Sequence, residues 1–191
     1  MEAEQMINTA LTCGFTDAVI ISTEEFHFVP EYRHYCEENR CGNYGRNYGC
    51  PPACGTVEEM KERALAYRKG LVLRSLTPVD NAYDEEETKA IKKAHTRMTN
   101  VLIRRLKEEG MNGSGMAIMA GPCNLCSSCR MPEGKSCPHG KAPFSCLSAY
   151  CIDAMTLAKS AGIEMEWSMD EVSFFSIYLF DRKTSGPAGR E

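Results

Sequence analysis

Met116-Ala117-Ile118-Met119-Ala120 runs directly into Gly121-Pro122-Cys123-Asn124-Leu125-Cys126-Ser127-Ser128-Cys129. The apolar run reads as a short strand, and it delivers the chain into the first of three closely spaced cysteines. A strand end on a rigid scaffold is where a functional loop can be held in place. The fold follows from asking what else pairs with this strand.

Working outward, residues 17–22 read as a buried strand through Val19, Ile20 and Ile21. Leu71-Val72-Leu73 begins another, and residues 174–180 (Phe-Phe-Ser-Ile-Tyr-Leu-Phe) form a last one. Helical spacing separates them. Met6, Ile7, Ala10 and Leu11 share one face of a helix over residues 2–11, which ends near Gly14. Thr56 and Glu59 have capping-box spacing, so a helix starts there and runs to Gly70. Residues 84–109 carry Ile91, Ala94, Met98, Val101, Leu102 and Leu106 as one stripe, with acidic residues at the start and Gly110 at the end. A further helix is expected over residues 146–161, with Ser145 as its cap and Gly162 as its stop. Alternating strands and helices predict an α/β architecture: a small sheet of about four strands flanked by helices, with two cysteine-rich metal-binding loops. The expected organisation is a single domain over residues 1–183, with loops at 36–54 and 123–137, then a flexible polar tail at 184–191.

The charge balance narrows the function. A net charge of −4 argues against a general nucleic-acid binder, which usually carries a basic face. No Lys or Arg precedes Arg33, so the N-terminus lacks the look of an export signal. The longest apolar runs are far too short to cross a bilayer. The expectation is a soluble cytoplasmic protein with no nucleic acid and no membrane among its partners. Eleven cysteines in a chain of this length, gathered into two tight groups, favour metal ligation in a reducing compartment over a disulfide framework.

Cys123-x2-Cys126-x2-Cys129-x7-Cys137-Pro138 is the most specific signal. Three thiolates at successive spacings of three let one loop wrap three corners of a cubane, and a fourth closes the cage. That run followed by Cys-Pro is the bacterial-ferredoxin style of [4Fe–4S] ligation, although the last gap is longer here. Arg130, Lys135, His139 and Lys141 would balance a net-negative cluster, and small residues (Ser127, Ser128, Gly134, Ser136) let backbone N–H groups face its sulfurs. The alternative is a four-cysteine zinc knot, which more often pairs two Cys-x2-Cys elements.

Cys36-x4-Cys41-x8-Cys50-Pro51-Pro52-Ala53-Cys54 is looser. Gly42, Gly45 and Gly49 permit close backbone approach to a ligand, and Arg46 can balance an anionic cluster or substrate. Two prolines between Cys50 and Cys54 predict an extended segment, which makes Cys54 the least certain ligand of a centre built on Cys36, Cys41 and Cys50.

Cys41 followed by Gly42-Asn43-Tyr44-Gly45, then Cys50-Pro51-Pro52, then Gly121-Pro122-Cys123-x2-Cys126-x2-Cys129, resembles a prokaryotic family of unknown function described as predicted metal-binding proteins. The resemblance covers about residues 33–180. It implies that Cys36, Cys41, Cys50, Cys123, Cys126, Cys129 and Cys137 are the matching ligand positions, and it supplies no reaction. After Cys137 the sequence departs from the family pattern at Lys141-Ala142-Pro143-Phe144-Ser145-Cys146, which lacks the expected arginine. Cys54, Cys146 and Cys151 are extras by that measure.

Of the remaining candidates, Cys146 at the start of a helix would be a reactive thiol or an extra ligand. Cys13 reads as a core residue, and His95 on the long helix as solvated. Three functions compete. One is a redox protein, an electron carrier or small reductase component with one or two [4Fe–4S] clusters and a redox partner protein. Another is an enzyme whose cluster at Cys36, Cys41 and Cys50 keeps an iron open, for which Cys54 decides the outcome. The third is a zinc-stabilised binding module. No Gly-x-Gly-x-x-Gly or phosphate loop supports a nucleotide cofactor, and a flavin stays open.

Overall fold

The computed structural model describes residues 2–110, 115–140, 144–166 and 168–183. In chain order these form α1 (Glu2–Thr12), β1 (Asp17–Ser22), α2 (Arg33–Glu37), α3 (Val57–Leu65), β2 (Tyr67–Pro78), α4 (Glu85–Glu108), β3 (Met116–Met119), β4 (Ser145–Cys146), α5 (Ala154–Ser160) and β5 (Glu171–Arg182). The tail expected at 184–191, and Lys141, lie outside the described residues.

The five strands make one sheet in the order β1-β2-β5-β3-β4. All neighbours are antiparallel except β3 and β4, which run parallel. Both faces are covered, and the alternation of side chains sorts the core in two. Leu71, Leu73, Ala117, Met119, Tyr178 and Phe180 face α1 and α4, packing with Met6, Ala10, Leu102 and Leu106. Val72, Ile118, Ile177 and Leu179 face the other way, against Met60 and Ala64 of α3 and Leu157 and Ala158 of α5. Cys13 packs against the first of these cores, as its apolar setting led us to expect.

The helix starts follow the local sequence. Thr56 and Glu59 form the capping box: Glu59 N donates to Thr56 Oγ1 and Thr56 N to Glu59 Oε2. Asp84 Oδ1 accepts from the amides of Glu86 and Glu87 at the head of α4.

Three expectations are corrected. The helix expected from residue 146 begins only at Ala154, capped by Asp153, whose Oδ1 accepts from Thr156 N. Ser145 and Cys146 instead extend the sheet beside β3, and Cys151 takes a positive φ of 55° that interrupts a helix. His95 is fully buried rather than solvated. Its Nδ1 lies 2.7 Å from Ser75 Oγ of β2 and its Nε2 3.0 Å from Ser176 Oγ of β5, which in turn lies 2.9 Å from Thr99 Oγ1. Polar partners on the sheet make that burial tolerable. Finally, the segment between Cys50 and Cys54 is a closed turn rather than an extended rod: Cys54 N donates to Cys50 O at 3.0 Å.

Candidate metal centres

The second cysteine group leaves the end of β3 and folds back on itself. Cys123, Cys126, Cys129 and Cys137 line one small cavity together with Arg130 and His139. His139 Nε2 lies 3.3 Å from Cys126 Sγ. Burial raises the Cys123 thiol, while backbone N–H groups of Leu125 and Phe144 oppose that, and the Cys137 and Cys129 thiols add to it. None of the described residues from 122 to 140 is buried. The loop has no apolar core.

The first group is built differently. Cys36 lies on α2, and Cys41 follows in an exposed turn where Asn43 Nδ2 donates to Cys41 O. Gly45 N donates to Pro51 O, and Cys50 N to Asn47 O, so the glycine-tyrosine loop curls over the prolines. Cys50 is 5% exposed.

Cys36 is pushed up to about 11 by burial first and then by Cys146, with smaller contributions from Cys151 and Cys41 against the opposing charge of Arg33. Cys50 is raised by burial, then by Cys146, Cys41, Cys54 and Cys36. Cys146 is raised by burial, with Cys41 adding, while backbone N–H groups of Ala149, Cys146 and Ser148 favour its thiolate. Each pair among Cys36, Cys41, Cys50 and Cys146 is thus within electrostatic reach. Cys54 differs. Burial raises it too, but its next neighbour is the Arg33 guanidinium, followed by Cys146 and Arg63.

The two groups share a wall. Asn47 Nδ2 donates to Cys123 O at 3.0 Å, and Asn47 Oδ1 accepts from Gly49 N at 2.9 Å. A methyl group on Gly49 would stand 2.0 Å from Phe144 O and 3.0 Å from Cys123 Cβ, so only glycine allows this approach. Tyr48 Oη donates to Lys135 O on the far side of the second loop.

Clustered thiols disfavour one another's ionisation unless positive charge joins them, and a thiophilic metal supplies it by binding the thiolates. Both donor sets therefore fit a soft metal group. Among the described residues, no group of three or more His, Cys, Asp or Glu has the spacing that holds a single metal ion. All eleven cysteines are free thiols. No helix among the described residues is long and apolar enough to cross a membrane.

The sequence singled out seven of these cysteines together with Cys54. Cys146, read as a reactive thiol or extra ligand at a helix start, lies instead on β4. The Cys146 register on β3 is a long-range pairing that no local pattern announces.

A family model described as predicted metal-binding protein (DUF2284) matches residues 19–180. No curated protein and no solved structure matches the chain.

Proposed function

The chain belongs to this family of predicted metal-binding proteins, and from that premise we propose that it is a cytoplasmic iron–sulfur protein that carries single electrons between redox partner proteins. The observation that carries the reading is the convergence of Cys123, Cys126, Cys129 and Cys137 on one cavity, in ferredoxin-like spacing and beside Arg130. Cys123, Cys126, Cys129 and Cys137 would hold a [4Fe–4S] group there, and it would supply a one-electron couple between a donor and an acceptor protein. The chain's own residues hold and tune it. Arg130 offsets negative charge, and the amides of Leu125 and Phe144 donate to the Cys123 sulfur. Gly49 and Asn47 set the first cysteine group against the second, which suits a relay through two centres.

A second reading, a reductase with a small-molecule substrate, draws on a cavity of about 440 Å³. It is lined by Cys54, Arg63, Cys137 and Ser145. Ser145 Oγ is buried there without a hydrogen-bond partner. Rapid reoxidation of the reduced protein by small oxyanions, with no protein acceptor present, would favour this reading over the carrier.

Anaerobic purification followed by iron, sulfide and zinc analysis tests the cluster. The expected protein is brown, with a broad thiolate-to-iron absorption that bleaches on reduction. Colourless protein with stoichiometric zinc would leave a zinc-stabilised binding module in its place.

A further inference from the structure

We propose that Cys146 closes the centre formed by Cys36, Cys41 and Cys50, and that Cys54 lies outside it. The inference rests on the metal-binding reading above and specifies the ligands of its first centre.

Three placements converge on Cys146. Strand pairing sets it opposite Met119, and Leu147 N donates to Met119 O at 3.1 Å, so its position is fixed by the sheet. Gly49 packs on the Phe144 carbonyl, which brings Cys50 beside the start of β4. Arg33 then ties the third side. Its Nη2 donates to Ala149 O at 3.0 Å and its Nη1 to Gly55 O at 3.2 Å, which holds α2, and with it Cys36, against the turn that follows Cys146.

The other two cysteines have packing of their own. Cys54 Sγ lies 3.9 Å from Gly55 O, and its side chain packs in the core with Met60, Ala64 and Tyr150. Cys151 is fully buried, with Sγ 3.9 Å from Pro30 O. Each is accounted for as a packed thiol. Four thiolates from three separated segments then occupy every corner of the first centre. An iron held this way has no open position for substrate, which favours electron transfer there.

The test compares Cys146→Ala with Cys54→Ala, each purified anaerobically as the full chain and assayed for iron, sulfide and zinc. Wild-type protein comes first: if it holds neither iron nor zinc, the metal-binding reading itself fails. Given a loaded wild type, Cys146→Ala is expected to lose one centre, about half the metal, while Cys54→Ala keeps all of it. Metal loss in Cys54→Ala with its circular dichroism intact would overturn the assignment, whether or not Cys146→Ala folds. Cys146→Ser supplies a further arm, because a hydroxyl fills the same space and replaces sulfur by oxygen at the metal. Its reduced-state electron paramagnetic resonance spectrum is expected to change, and an unchanged spectrum would also overturn the proposal.

Discussion

The two cysteine regions are built by opposite routes. The second is contiguous: four cysteines between Cys123 and Cys137 share a cavity, on a loop with no buried residue between 122 and 140. The first is assembled: a short helix, a glycine-rich loop and a two-residue strand bring distant thiols together, with Cys50 and Asn47 both 5% exposed. A contiguous site depends on its metal for most of its order, because only a few hydrogen bonds, from Asn47 and Tyr48 among them, otherwise hold the loop. An assembled site depends on the sheet, and part of its order should outlast the metal.

The largest expected effect breaks that contrast if it fails. Cys126→Ser should strip the second centre and leave residues 122–140 without a fixed fold, since no apolar burial replaces the lost bonds. Chelating the metal from wild type should do the same to that loop first. Trypsin would then cut at Arg130 and Lys135 well before Arg40 and Arg46, although all four are exposed. Cleavage of both regions at one rate would show that the first is no better supported than the second.

How much of this was legible follows the same division. The Cys123–Cys137 spacing and the Thr56–Glu59 box are local signals, and each corresponds to a feature the folded chain contains. The strand at 17–22 was bounded correctly because its apolar run is short and uninterrupted. What could not be read is what distance in sequence conceals. Nothing near residue 146 announces that Ser145 and Cys146 pair with Ile118 and Met119. Nor does anything on α4 announce that His95 meets serines from two strands, although its neighbours Thr96 and Thr99 are buried with it.

The seam between the regions gives the next effect. Gly49→Ala would press a methyl group into the Phe144 carbonyl, and backbone yields less readily than the end of a side chain. A loss of about 3 kcal/mol is expected in denaturant unfolding, near the top of the range for overpacked sites. Altered spectra from both centres should accompany it, because the strain reaches Cys50 and Cys123 together. A change confined to one centre would mean that the wall is not shared.

His95 offers a buried polar site away from both cysteine groups, and so a reference for acid sensitivity. Burial lowers its pKa to about 4. The unfolded chain takes up this proton near pH 6.5 and the native chain only near 4, so the unfolded state binds more protons between them. Stability is therefore fully present above about pH 6.5, falls as the pH drops toward 4, and loses at most about 3 kcal/mol by this route. His95→Gln should flatten that part of the stability curve. It should leave unchanged the pH at which cluster absorbance is lost, which is set by protonation of the thiolate ligands. If the absorbance loss moved with the substitution, the sheet and the centres would be acid-sensitive as one unit.

Asn47→Ala should have the smallest effect and the most specific one. The side chain makes one bond across the seam, donating to Cys123 O, and one within the first loop, accepting from Gly49 N. Alanine leaves the buried Gly49 amide and the part-buried Cys123 carbonyl without this partner, which costs about 1–2 kcal/mol. No sulfur is touched, so metal content should match wild type in both regions. The asymmetry should appear in the metal-free protein. There the sheet still holds Cys146 and the Arg33 bonds still hold α2, whereas the second loop loses a bond to its first cysteine when it has few others. Protease resistance after chelation should accordingly fall further at Arg130 and Lys135 than at Arg40 and Arg46. Equal losses on the two sides would show that Asn47 supports the first region as much as the second, and that the contiguous loop is less dependent on its surroundings than its exposure implies.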